Sequence, residues 1–352
     1  MSEVKNYFGR DLSVIMFDGS IKSIEHIKIG DILIGPDSKP KTVLTAKEDK
    51  KELIRFKPSR NGFDFSLGIE NDLILSHTGK ILIANHGETV NTTVSEFLLM
   101  SKNRQKYLTG YRSKCIHWNE SLINPKISLP PYYLGAWLGD GTAANTEITN
   151  MDQEVIDYVY ELAKEYNLFV SSTKKGRAYM LYLSCGKTGG VMKGKNKLLT
   201  QLQELKLIKN KHFPANYLYL SEKDRLLLLA GYLDTDGCLT DEYFVVSSVL
   251  DSLAEGVCFL ARSLGFSASR KKRLNKYPIT NETLYNYVSI CGDVQRIPTK
   301  IARKKAKDYQ RKRNHLKFGF KTELLTNQNC YGIVLDGDGL FLASDFTVLK
   351  AL

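Results

Sequence analysis

Leu229-Ala230-Gly231-Tyr232-Leu233-Asp234-Thr235-Asp236-Gly237 is the stretch on which the reading of this 352-residue chain turns. It continues an apolar run from Leu226 and ends on an acidic residue followed by glycine. A stretch of the same design, Tyr133-Leu134-Gly135-Ala136-Trp137-Leu138-Gly139-Asp140-Gly141, places Asp140 96 residues before Asp236. Gly135 and Gly139 stand four apart, one above the other on a helix face, and Gly231 is the counterpart of Gly135. Without side chains, such positions let two helices meet backbone to backbone. The spacing therefore predicts two helices crossing at their glycines, with Asp140 and Asp236 at their C-terminal ends, each before a helix-ending glycine. Carboxylates there face the negative ends of the helix dipoles and each other, which costs about 1 kcal/mol unless a cation binds. Oxygen ligands select Mg²⁺, with Mn²⁺ as a substitute.

Outward from the two stretches the same succession occurs twice. The first copy continues with a strand near Glu147 to Thr149, a helix through DQEVIDYVYELAKEYNL, a strand FVSS, the basic turn TKKGR and a strand AYMLYL. The second continues with YFVVSS, a helix through LDSLAEGVCFLARSLGF, the basic turn RKKR and YNYVSI. A tandem duplication of this kind predicts a pseudo-twofold axis, and double-stranded DNA is a nearly twofold substrate. Residues 1 to about 118 instead read as short strands between Gly, Asp and Pro turns, and strand texture returns near Tyr331 in YGIVLDGDGLFLASDFTV. The expectation is an α+β chain in which the duplicated unit (119–317, copies at about 130–210 and 211–317) is inserted into a β domain split between 1–118 and 318–352.

Composition narrows the function. Fifty Lys+Arg against 38 Asp+Glu leave a net charge of +12, which calls for an acidic partner, nucleic acid being the commonest. No apolar stretch reaches the roughly 18 residues of a membrane span, and the start MSEVKNYFGRD has no signal-peptide core, so a nuclear or cytoplasmic protein with no membrane partner is expected. The six cysteines are scattered singly, with no metal-ligand spacing, and read as reduced thiols. Met1, followed by five residues before Tyr7, points to a free-standing protein.

The stretch Leu229–Gly237 resembles the signature of the LAGLIDADG homing endonucleases, at seven of nine positions identical or closely similar. The first copy keeps the central glycine, the acidic residue and the glycine after it. Leu260-Ala261-Arg262-Ser263-Leu264-Gly265 and Lys211-His212-Phe213-Pro214 are similar to segments of the intein-borne members of that family. The resemblance implies a monomeric two-repeat αββαββα fold and a Mg²⁺-dependent endonuclease cutting both strands of DNA at a long, partly asymmetric site. It implies metal ligation by Asp140 and Asp236 with Gly139 and Thr235, and assistance from Lys211 in one half-site and Lys305 in the other, with Lys304 and Lys307 as alternatives to Lys305. A lysine beside a scissile phosphate neutralises developing charge. Lys174, Lys175, Arg177 and Lys271, Lys272, Arg273 occupy matching turns suited to phosphates, and Arg303 and Lys304 open a run that reads as a DNA-contacting linker or a nuclear-import signal.

The flanks resemble the Hint, or splicing, domain of inteins. Val14-Ile15-Met16-Phe17-Asp18-Gly19-Ser20 with Ile29-Gly30-Asp31 is similar to its first block, and Tyr331-Gly332 through LDGDGLFLASDFTV to its last but one. The reactive positions depart from that pattern. Tyr7 stands where the Cys or Ser nucleophile belongs, and Gly79, within Leu75-Ser76-His77-Thr78-Gly79, where the His of Thr-x-x-His belongs. Lys350, Ala351 and Leu352 occupy the places of the His, the cyclising Asn and the downstream nucleophile. A phenol does not carry out an N-to-S acyl shift, and alanine has no amide with which to cyclise, so splicing is expected to be lost. Two rivals remain open: a splicing element with altered ends, and a LAGLIDADG fold that binds DNA or RNA without cutting.

Overall fold

The computed structural model of the chain describes residues 4–59, 62–79, 87–118, 127–188, 191–192, 195–275, 283–308 and 314–351. Its contacts form two units, one made of Met1–Trp118, Gly265–Ser267 and Lys312–Leu352, the other of Asn119–Leu264 and Ala268–Arg311. The return to the first unit comes at 311/312, ahead of the expected 317/318, because Lys317 and Phe318 already pair with Tyr111 and Gly110.

The first unit is almost all β. Among the described residues nine strands precede the insertion: β1 (Tyr7–Gly9), β2 (Ser13–Ile15), β3 (Ile21–Ser23), β4 (Ile32–Ile34), β5 (Pro40–Pro58), β6 (Phe65–Gly68), β7 (Asp72–His77), β8 (Thr89–Thr93) and β9 (Leu108–Tyr111). After it come β19 (Lys317–Phe318), β20 (Phe320–Leu335), β21 (Leu340–Leu342) and β22 (Val348–Lys350). One sheet runs β20-β1-β6-β5-β4, and β20 also pairs with β5 from Phe320↔Pro58 to Leu335↔Val43, closing the first four strands into a ring without free edges. A second sheet runs β19-β9-β7-β8. Phe8, Val14, Leu33, Phe56, Leu75 and Phe341 fill the core, the inward members of alternating strands. The helices α1 (Val94–Leu99), opened by a Thr93/Glu96 capping box, and α2 (Lys102–Gln105) are short.

The second unit carries the duplication. Copy one consists of α3 (Pro131–Asp140), β10 (Ile148–Asn150), α4 (Gln153–Glu165), the hairpin β11 (Phe169–Lys175) and β12 (Ala178–Ser184), the ribbon β13 (Lys187–Thr188) and β14 (Val191–Met192), and α5 (Lys197–Glu204). Copy two consists of α6 (Ala215–Leu218), α7 (Glu222–Asp236), β15 (Gly237–Thr240), β16 (Tyr243–Ser248), α8 (Asp251–Ser263), β17 (Ser267–Asn275) and β18 (Thr283–Cys291). The sheets run β10-β12-β11 and β15-β16-β18-β17. The copies are less alike than an αββαββα succession implies: among the described residues the counterpart of β15 in copy one shrinks to a single bridge, Gly141↔Ile148. Asp224 and Ser221 cap the start of α7, while Pro131 opens α3 with the fixed φ that suits a first helical turn. Both helices are buried on nearly every face, which a helix at the centre of its unit requires.

Candidate functional site at the paired helix ends

The glycines bring α3 and α7 together. A Cβ on Gly135 would stand 2.1 Å from the Leu228 carbonyl oxygen, and one on Gly231 2.1 Å from that of Tyr132, the same contact taken in both directions. A Cβ on Gly139 would stand 2.1 Å from Thr235 Oγ1 and 3.3 Å from the Asp236 carboxyl carbon, so Asp236 lies against the last turn of α3. Gly141 and Gly237 end the helices, but with φ of −72° and −84°, not in the left-handed conformation expected of a helix-ending glycine. They are glycine for space: a Cβ on Gly141 would stand 2.3 Å from the Trp137 carbonyl oxygen, and one on Gly237 2.6 Å from that of Leu233.

Asp140 and Asp236 are both half-buried at these ends. Burial and the neighbouring Asp140 charge push the Asp236 carboxyl up to about 6, against the pull of Lys211 and Lys304. Asp140 is also raised by burial, but Asn150 Nδ2 donates to its Oδ2 at 2.6 Å and favours its ionised form. The bridge between Gly141 and Ile148 delivers Asn150 to that place.

Each helix end is met by a lysine. Lys211 Nζ donates to the carbonyls of Leu138 (3.1 Å) and Gly139 (3.0 Å), with the Trp137 ring 5.2 Å away. Lys304 Nζ donates to the carbonyls of Leu233 (3.0 Å) and Asp234 (2.6 Å), the positions equivalent to Leu138 and Gly139 but for a shift of one. These are carbonyls that a helix leaves without a partner, at the end where its dipole favours a cation. Burial lowers the pKa of both lysines while the nearby aspartates oppose it. The counterpart of Lys211 is thus Lys304; Lys305, the expected partner, is exposed. In the run KIARKKA several lysines compete for one alignment. A 3₁₀ turn at Ala302–Lys304 decides between them, because residues three apart in it share a face and Lys304 follows Ile301 inward.

Asp234, two residues before the helix end, was not singled out from the sequence. It is fully buried and accepts from Tyr132 Oη (2.7 Å) and the backbone N–H of Lys300 (2.6 Å), fastening the segment that carries Lys304. Its place in copy one is taken by Leu138, an asymmetry visible in the sequence once the copies are aligned. Trp137 is a core residue, as its type predicts, and also the platform under Lys211.

Of the eight basic residues assigned to DNA, Lys174, Lys175 and Arg177 are exposed around a two-residue hairpin turn between β11 and β12, where Gly176 takes the positive φ (63°) that its first position requires. Lys271, Lys272 and Arg273 are exposed on β17, but Lys272 is held 3.0 Å from Asp251, and Arg273 lies over Tyr287. Arg303 and Lys304 have partners within the protein. Arg303 grips both oxygens of Asp152 at the start of α4 (2.8 and 2.6 Å), and Lys304 is buried.

In the β unit, Tyr7 is buried, and its N–H donates to Asn71 Oδ1 (2.8 Å). A Cβ on Gly79 would stand 2.5 Å from the Tyr107 ring. Lys350 faces Asp72 at 4.0 Å and Ala351 is fully buried, its N–H donating to Gly339 O. Leu352 lies outside the described residues. All six cysteines are free thiols. Among the described residues no helix is long and apolar enough to cross a membrane.

Residues 218–313, which hold α7 with Asp236, the sheet after it and Lys304, match the model of the family described as "Homing endonuclease". The homothallic switching endonuclease of Saccharomyces cerevisiae is 22% identical over 284 residues, 69% of this chain and 47% of that protein. The replicative DNA helicase DnaB of Mycobacterium intracellulare is 36% identical over 157 residues, 42% of this chain and 22% of that protein. The chain thus spans from about a fifth to about half the length of these relatives. The solved homing endonuclease I-DmoI, in complex with DNA and Ca, is 16% identical, with a TM-score of 0.33 over 46% of this chain and 81% of that one. The chain resembles the homing endonucleases, as its two signature stretches imply, with α+β architecture and a β unit whose sequence is split by the duplicated one.

Proposed function

We propose that the chain is a site-specific endonuclease that cuts both strands of a long, partly asymmetric DNA site, acting as a monomer in the nucleus or cytoplasm. The observation that carries this reading is the near-symmetric pair of helix ends, closed by Asp140 and Asp236, with Lys211 on the last carbonyls of one helix and Lys304 on those of the other. Two near-equivalent centres suit two antiparallel strands, and their differences, Asn150 and Asp234, suit an asymmetric target. The donors at the helix ends are oxygens, and the two carboxylates disfavour each other's charge in a partly buried place, which fits Mg²⁺ or Mn²⁺ held by Asp140 and Asp236. When bound, such an ion lowers the pKa of water and polarises the scissile phosphate. Gly139 and Thr235 would contribute through their carbonyls. The Gly139 carbonyl accepts from Lys211, and that of Thr235 faces Lys304 at 3.4 Å, so each would be free to ligate only with its lysine displaced.

In this reading Lys211 and Lys304 hold positive charge where a phosphodiester gains negative charge, and Asn150 fixes the orientation of Asp140. Lys174, Lys175, Arg177, Lys271 and Arg273 grip backbone phosphates and set the register of the duplex. The β unit has lost splicing: a phenol stands at Tyr7 in place of a thiol or an aliphatic hydroxyl, no amide stands at Ala351, and Tyr107 fills the space that a histidine at position 79 needs.

The test is to sequence the DNA ends that form when the purified chain meets host genomic DNA in Mg²⁺, beside Asp140→Asn and Asp236→Asn. Ends clustered at one or a few sites, absent with either variant, are expected. Salt-sensitive duplex binding without ends would sink the catalytic reading in favour of a binding protein.

A further inference from the structure

Lys304 ends a short segment, 299–304, whose backbone is gripped by carboxylates. The two oxygens of Asp234 accept from the N–H groups of Lys300 (2.6 Å) and Ile301 (3.4 Å), and Oδ2 also from Tyr132 Oη of α3 (2.7 Å). The next N–H, that of Ala302, donates to Glu154 Oε1 (2.9 Å) in the first turn of α4. Three successive backbone donors thus meet two carboxylates. The Lys300 ammonium lies over the rings of Tyr132 (5.1 Å) and Tyr158 (4.9 Å). Thr299 Oγ1 donates to the Lys304 carbonyl (2.9 Å) and the Lys304 N–H to that of Ile301 (2.9 Å), closing the turn that carries the Lys304 ammonium to the end of α7. Apart from Asp234, the anchors of residues 300–302 stand in copy one, although Lys304 meets the helix of copy two. The reverse exchange is present as well: Ser252 Oγ, in the first turn of α8, donates to the Lys211 carbonyl (3.0 Å). There the link is a neutral hydroxyl, and Leu138 stands at the place of Asp234. Helix packing therefore does not require a carboxylate at that place, and a fully buried one is costly unless its bonds serve another end.

We propose that Asp234 and Glu154 are positioning residues for Lys304: they fix the backbone of 300–302 so that the turn delivers the ammonium to the end of α7, and copy one thereby completes the centre of copy two. A bond to an ionised carboxylate is stronger than one between neutral groups, so the two lysines are held unequally, and Lys211 is independent of this pair. What the positioning achieves rests on the reading of Lys304 as part of a DNA-cutting centre; the positioning itself does not.

The test compares the full chain with Glu154→Ala, Glu154→Gln and Asp234→Leu, the last giving copy two the residue of copy one. Without DNA, each protein is treated with limiting acetic anhydride, and the acetylation rates of Lys304 and Lys211 are read by peptide mass spectrometry. Glu154→Ala and Asp234→Leu are expected to speed labelling of Lys304 by about tenfold, one charge-assisted contact or more being lost, and to leave Lys211 unchanged. Glu154→Gln keeps an acceptor for the Ala302 N–H and is expected to restore most of the protection. With DNA, Glu154→Ala and Asp234→Leu are expected to spare the same strand as Lys304→Met does and to cut the other at the wild-type rate. Glu154 is half-buried at a helix start, so its alanine variant carries the test alone if Asp234→Leu fails to fold. The proposal is overturned if Lys304 is labelled at the wild-type rate in Glu154→Ala, if Lys211 gains equally, if Glu154→Gln behaves as Glu154→Ala, or if both strands lose cutting alike. A wild-type chain that cuts no DNA, with Lys304 labelling as expected, overturns the cutting reading and leaves the positioning supported.

Discussion

At the scale of the residue, the two aspartates are equivalent by sequence and unequal by surroundings. Asp236 has a native-state pKa near 6 against 3.8 in the unfolded chain, so the native protein binds the extra proton and its stability falls as pH rises between those values. The shift corresponds to about 3 kcal/mol of destabilisation at neutral pH. With metal chelated, Asp236→Asn should therefore raise the melting temperature at pH 8 and lose that advantage below pH 4; a melting temperature equal to wild type at pH 8 would contradict the burial argument. The lysines separate in the same way. Lys304→Met should leave a product nicked in one strand and Lys211→Met a product nicked in the other, while Lys305→Ala cuts both strands, as resolved on denaturing gels. The sequence identified Lys211 because a proline-ended segment framed it. It left Lys304 among three candidates because adjacent lysines carry no periodicity of their own.

At the scale of the element, the centre depends on how closely α3 and α7 approach. Gly231→Ala puts a methyl group 2.1 Å from a backbone oxygen that cannot swing aside, so the helices must separate. The expected loss is about 3 kcal/mol of stability, at the upper end of ordinary overpacking, and cutting should fall further than folding does. Denaturant unfolding beside a cleavage assay checks both, and an unchanged midpoint would mean that the helices do not pack through their glycines. This element was legible beforehand, since small residues four apart and an acidic end specify both contact and polarity. The strand before β10 was not, because its pairing in copy one reduces to the single bridge at Gly141.

At the scale of the whole molecule, a net charge of +12 predicts salt-dependent binding, but not every cation contributes to it. Lys271→Ala should lower the slope of log affinity against log salt by about 0.9, the share of one released counterion. Arg303→Ala should leave that slope alone, and cost at most about 1 kcal/mol of stability, because its charge is spent on Asp152. Equal slopes for wild type and Lys271→Ala would remove β17 from the DNA surface. What the sequence by itself determined is whatever local pattern encodes: the duplicated helices, the acidic pair, the split β domain and the absent splicing groups, each a matter of residue type at a given spacing. Only the tertiary structure decided which lysine caps the second helix, that Asn150 and Asp234 make the two centres unequal, and that Lys304 turns inward while Arg303 pairs with Asp152 at the surface. Those outcomes depend on hydrogen bonds between residues distant in sequence, and one residue of slip in a basic run changes its charge pattern little while reversing which side chain is buried.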